Sequence, residues 1–146
     1  AGLSAATLTV TKVVDGTAPP GAEWVVDIDC PDATMVTPAQ MTFTGSGSQT
    51  ATITNINATP VTCTVVESAT AGASVTYACE VTDDKGNEDN ACVTENSVHY
   101  VSSAAAATIT VTNTYVPAPG PPPAPGAAAA EPPAAEPIAA AARFTG

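Results

Sequence analysis

From residue 7 to residue 116 the chain alternates polar and apolar side chains almost without a break. Successive side chains of a strand point to opposite faces, so a period of two means extended backbone with one face covered. Eight segments carry the pattern: 7–14, 23–30, 40–44, 48–56, 61–68, 74–81, 91–101 and 106–116. Turn-forming residues separate them, among them Asp15-Gly16, Pro19-Pro20-Gly21, Gly45-Ser46-Gly47 and Lys85-Gly86-Asn87. No segment has helical periodicity, and short strands at this spacing predict an all-β sandwich. The 23 threonines and the abundant valine favour pleated sheet. Aromatic residues are only 4% of the chain, so its core has to be built from β-branched side chains.

The pattern stops at Pro117. Residues 117–146 hold nine of the 14 prolines and twelve alanines, a composition that builds no core of its own. The expected organisation is an N-terminal arm (1–6), a sandwich domain (7–116) and an extended Pro/Ala-rich tail (117–146) that acts as a linker or an inter-subunit strap, with polyproline II in its first third. Ile138 and Phe144 are the only large apolar residues of the tail, and as a strap it would use them as assembly anchors on a neighbouring subunit. The closing Arg143-Phe144-Thr145-Gly146 resembles a degenerate sortase signal that lacks its Leu and Pro.

The formal net charge is −11, with three basic residues against 14 acidic ones. Phosphate backbones and acidic membrane surfaces require clustered Lys and Arg, so neither nucleic acid nor a membrane surface is an expected partner. No apolar run is long enough to span a bilayer. His99 is the sole histidine, and there is no Gly-rich phosphate loop and no metal cluster in the sequence. The expectation is a non-enzymatic protein without a cofactor.

Four cysteines, Cys30, Cys63, Cys79 and Cys92, are an even number without a CxxC spacing. That favours two disulfides and an oxidising, exported location over zinc. The absence of a basic-then-apolar leader fits a mature secreted form at the cell surface. Face parity suggests Cys30–Cys63 across the core and Cys79–Cys92 around a polar hairpin, although four cysteines allow three connectivities. Within that hairpin Asp83, Asp84, Asn87 and Asp89 form a weak Ca²⁺ candidate that lacks the full spacing of a calcium loop; a solvated acidic turn is the favoured alternative. Lys85 is the lysine expected to be exposed and available for an intermolecular amide. Asn57-Ala58-Thr59 is a glycosylation sequon.

Three polar residues fall on apolar faces. Lys12 shares a face with Leu8, Val10 and Val14; Glu67 with Val61, Cys63 and Val65; Asn113 with Ile109, Val111 and Tyr115. A buried ammonium or carboxylate costs several kcal/mol unless paired or neutralised, and the three would explain one another if they meet. Burial favours a neutral amine and a protonated acid. The Lys12 amine would then attack the Asn113 side-chain amide, Glu67 would shuttle protons, ammonia would leave, and an intramolecular isopeptide bond would remain. The alternative is that each side chain reaches water at a strand end.

The segments "LTVTKVVDG" (8–16), "TCTVVES" (62–68) and "ITVTNTY" (109–115) resemble the Cna-B/SpaA-like, reverse-Ig domains of Gram-positive and actinobacterial pilins and adhesins, over about residues 7–116. The resemblance implies an Ig-like β-sandwich and, in several members, a Lys–Asn bond promoted by an acid, here Lys12, Asn113 and Glu67. The function expected is a structural subunit of an extracellular surface filament, pilus or sheath, with further copies of itself as partners and the tail docking on a neighbour. The alternative is a surface adhesin module on a Pro-rich stalk, with a glycan or host-matrix ligand.

Overall fold

A computed structural model describes residues 3–55, 59–69 and 72–116. Ten strands form among them: β1 (Leu3–Asp15), β2 (Trp24–Asp29), β3 (Met35–Thr37), β4 (Gln40–Phe43), β5 (Gly47–Asn55), β6 (Val61–Ala69), β7 (Ser74–Asp83), β8 (Ala91–Thr94), β9 (Ser97–Tyr100) and β10 (Ala106–Thr114). They make two five-stranded sheets, ordered β3-β5-β1-β10-β7 and β4-β2-β6-β9-β8. The molecule is an all-β sandwich, and no described helix is long and apolar enough to cross a membrane.

The alternation read from the sequence becomes the two faces of each sheet. Leu8, Val10, Ala51, Ile53, Ile109 and Val111 point inward from one sheet, and Val26, Ile28, Val61, Cys63 and Val65 from the other. Burying each Val, Leu or Ile contributes about 1.5–3 kcal/mol. Their alternate neighbours on the first sheet are threonines, which form hydroxyl ladders: Thr9 Oγ1 to Thr50 Oγ1 and Thr11 Oγ1 to Ser48 Oγ, both 2.9 Å.

The first and last strands, β1 and β10, are parallel neighbours from Thr7↔Ala106 to Asp15↔Thr114. Parallel neighbours need a crossover connection, and here the crossover is the rest of the sandwich. β1 pairs on its other side with β5, antiparallel. The two ends of the described chain therefore lie at opposite ends of the same sheet.

Four sequence expectations change. The strand expected at 7–14 starts at Leu3, so residues 3–6 of the expected arm belong to the sheet, pairing with β5 across a bulge between Leu3 and Ala5. Alanines give no polar/apolar contrast, which hid this turn of strand from the pattern. Met35–Thr37 forms a short strand on β5 that was not expected, and three residues before Pro38 are too few to show a period. The expected strand 91–101 is two strands, β8 and β9, reversed at Glu95-Asn96. That turn has neither Gly nor Pro; Asn96 closes it by donating N–H to Thr94 Oγ1 and its side-chain amide to the Val65 carbonyl.

The fourth change concerns the cysteines. The structure contains Cys30–Cys63 and Cys79–Cys92 disulfides and no other described cysteine. Cys30–Cys63 does not cross the core. The register Asp29↔Thr64 puts the two cysteines opposite each other on neighbouring strands of one sheet, Cα atoms 4.2 Å apart. The sheet-to-sheet staple is Cys79–Cys92, because β7 and β8 are edge strands of different sheets. Residues 84–90 are accordingly a crossing between sheets rather than a hairpin.

Candidate cross-link site

The parallel register of β1 and β10 sets Lys12 opposite Val111, so Asn113 is the diagonal neighbour of Lys12 on the same inward face. Diagonal neighbours are within reach of long side chains. Glu67 arrives from the other sheet, on β6 opposite Val26. All three are buried: Lys12 is 1% exposed, Asn113 0% and Glu67 6%. The structure thus brings together the three polar residues that the alternation left facing inward.

Glu67 bridges the other two. The Lys12 ammonium donates to Glu67 Oε1, and Asn113 Nδ2 donates to Glu67 Oε2 at 2.5 Å. The amine and the amide are held by the two oxygens of one carboxyl, on neighbouring strands. Burial lowers the pKa of Lys12 below its ordinary value, against the hydrogen bond and charge of Glu67, which act the other way. Asn113 Oδ1 is buried without a hydrogen-bond partner, an omission that costs about 1–3 kcal/mol.

Aromatic residues close the site. Trp24, the first residue of β2, is 2% exposed and places its ring 5.3 Å from Lys12 Nζ. Its indole N–H donates to the Tyr115 hydroxyl at 3.1 Å, and the two rings meet edge to face with centroids 6.4 Å apart. Tyr77 Oη accepts the backbone N–H of Glu67 at 2.9 Å, fixing that strand over the amine. Gly16 lets the turn after β1 pass Tyr115: a Cβ there would sit 2.4 Å from the Tyr115 carbonyl oxygen, and its φ is +95°. Parity alone had marked Trp24 as core; Tyr115 was legible too, two residues beyond Asn113 on the same face. Tyr77 and Gly16 had no sequence signal beyond a strand position and a turn.

The remaining candidates fall elsewhere. In the 83–90 segment the oxygens cap the turn: Asp83 Oδ1 accepts from Lys85 N, Asp84 Oδ1 from Gly86 N, and Asn87 Oδ1 from Asp89 N. Asn90, 4% exposed, pins the turn by donating to the Asp84 and Asn87 carbonyls and accepting from Val101 N. Among the described residues no group of three His, Cys, Asp or Glu is placed to hold a metal ion; of the four residues named for Ca²⁺, Asp83, Asp84 and Asn87 turn a side-chain oxygen to the backbone of the turn. Lys85 is exposed and ion-paired with Asp83 at 3.3 Å. His99 is half-buried, its Nδ1 2.7 Å from Thr62 Oγ1. Ile138 and Phe144, like Asn57 of the sequon, lie outside the described residues.

Residues 8–116 match a family described as a domain of unknown function, DUF5979, and the chain belongs to that family. No curated protein matches the sequence. Among solved structures the chain is similar to a bacterial adhesin from Mobiluncus mulieris containing intramolecular disulfide, isopeptide and ester cross-links, at 16% identity and a TM-score of 0.46, over 75% of this chain and 41% of that one. It is also similar to the T-13 major pilin of Streptococcus pyogenes, at 12% identity and a TM-score of 0.44, over 76% and 45%. A further major pilin of Streptococcus pyogenes matches at 22% identity and a TM-score of 0.36, over 77% and 48%. The chain spans less than half the length of each of these.

Proposed function

We propose that Lys12 and Asn113 become joined by an intramolecular amide that locks the first strand of the sandwich to the last, and that the domain is a mechanical subunit of an extracellular surface filament. The observation that carries this reading is the closed contact of Lys12 and Asn113 with the two oxygens of Glu67. A proton leaves the Lys12 ammonium for Glu67. The neutral amine attacks Asn113 Cγ, forming the Nζ–Cγ bond. Glu67 returns the proton to Nδ2, the Cγ–Nδ2 bond breaks and ammonia departs, and Glu67 takes up the second proton that Nζ sheds as it becomes the amide N–H. The aromatic cover keeps water away from the carbonyl while this happens. The product is neutral, so the burial cost of the amine disappears. Intact-protein mass under reducing conditions tests the step: the expected value is one ammonia below the fully reduced sequence mass, and a mass equal to the plain sequence overturns it.

For the filament, the support is an acidic, disulfide-stapled, Thr-faced sandwich followed by a core-less tail. In this reading residues 117–146 dock on a neighbouring copy through Ile138 and Phe144, and head-to-tail contacts of that kind build open fibres. The tail would make residues 7–116 one rigid bead and 117–146 its strap. An adhesive role would want exposed aromatic rings for a glycan; the large apolar side chains exposed among the described residues are valines and Met35. Deleting 127–146 is expected to leave a folded monomer, read by sedimentation, and a truncated chain that still polymerises overturns the strap.

A further inference from the structure

We propose that the outer edge of β7, with the groove beside it, receives residues 138–146 of a second copy as an added strand; this rests on the strap reading above and names its seat. An edge strand presents a row of unpaired N–H and C=O groups, and folded proteins blunt such edges by shortness, Pro, Lys or a covering element. Three of the four edges here are blunted. β3 has three residues and stops at Pro38, and β4 and β8 have four each. β7 has ten residues without Pro or Lys and pairs with β10 alone, its register regular from Ser74 to Val81 and broken by a single bulge at its Asp83 end. Beside it runs a groove of about 490 Å³ lined by Tyr77, Cys79, Cys92, Val93, Thr94 and Glu95. Its floor is the disulfide that holds the two sheet edges together, and Val93 on its rim is 60% exposed.

The occupant follows from what lies beyond Val116. An added strand needs free backbone N–H groups and alternate side chains that fill pockets. Nine prolines interrupt 117–137, whereas 138–146 has none, and at nine residues it matches the ten of β7. It brings Ile138 and Phe144 for the apolar groove, and Arg143 as the one cation of the tail. The rim it would meet offers one carboxylate for that cation: Glu95, which lines the groove. Direction agrees as well. β10 runs antiparallel to β7, so a chain that continues past β10 into a copy stacked in the same orientation meets β7 antiparallel, the better-pairing sense. Reach is sufficient: residues 117–137 extend to at most roughly 70 Å, against roughly 43 Å for the thirteen residues of β1.

The test uses the full chain and three substitutions, read by sedimentation and by hydrogen exchange of the β7 amides. Glu95→Arg, Arg143→Glu and Val93→Glu are each expected to weaken assembly about tenfold, the size of one interfacial contact. Glu95→Arg combined with Arg143→Glu is expected to restore it. The β7 amides should be protected in the assembled chain and exchange faster in the chain lacking 127–146. If that truncation abolishes assembly while β7 exchange and the three substitutions change nothing, the strap stands and its seat is elsewhere. If the truncated chain assembles as well as the full one, as in edge-to-edge pairing of two β7 strands, or if the full chain stays monomeric, the strap and its seat both fall.

Discussion

Replacing Lys12 with Ala removes one member of a buried pair and leaves the Glu67 carboxyl in the core without its cation, a change that costs about 3–5 kcal/mol. The expected results are a mass equal to the plain sequence and a lowered melting temperature. Glu67→Gln separates chemistry from packing: the amide side chain keeps the volume and still offers a hydrogen-bonding oxygen, but it cannot take the lysine proton. The variant is expected to fold without losing ammonia, read again by mass. Asn113→Ala gives an uncross-linked chain in which the titration of Lys12 can be followed. Its pKa is lowered by burial from an ordinary 10.5, so between the folded and the unfolded value the folded state binds fewer protons. Stability should therefore rise with pH through that window, and the slope should shrink when Lys12→Met is added. A denaturation series that is flat in Asn113→Ala, or equally steep in the double variant, contradicts the assignment. These residues were legible because period-two alternation makes a charged side chain on the wrong face conspicuous. What parity could not give was the partner: it cannot say that β6 lies across from β10, or that the register of β1 is parallel.

At the scale of elements, the two disulfides do different work. Cys30–Cys63 closes 33 residues and ties neighbours that the sheet already pairs; Cys79–Cys92 closes 13 and ties the sheets to each other. Loop entropy alone gives about 3.5–4 and about 3 kcal/mol respectively. The double substitution Cys79→Ala/Cys92→Ala is thus expected to cost nearly as much as Cys30→Ala/Cys63→Ala in thermal melts. It should also speed hydrogen exchange in β8, which carries only the four-residue pairing with β9. Equal β8 exchange with and without the disulfide would show that the staple is not what holds this edge. The inversion of their expected roles marks the limit of sequence reasoning. Parity says that a cysteine faces inward, but not whether the facing cysteine is beside it in the sheet or opposite it in the sandwich. The same limit produced the merged β8–β9 strand, whose turn is made by side-chain hydrogen bonds instead of Gly or Pro.

For the whole molecule, the parallel pair β1 and β10 puts the entry and exit of the chain at opposite ends of one sheet. Tension along the chain shears these strands against each other, and an amide between Lys12 and Asn113 would carry that tension past everything between them. Pulling on the ends is expected to extend the Lys12→Ala domain and to leave the parent at its folded length, a difference that single-molecule force measurements read directly. The second staple has a consequence of another kind. The only basic side chains among the described residues are Lys12, which is buried, and Lys85, which is exposed. A trypsin-like protease therefore has one inviting peptide bond in the bead, and that bond lies inside the ring closed by Cys79 and Cys92. A nick at Lys85 would sever the backbone and still leave both halves covalently attached, so the domain could be cut at its most vulnerable point without its two parts separating.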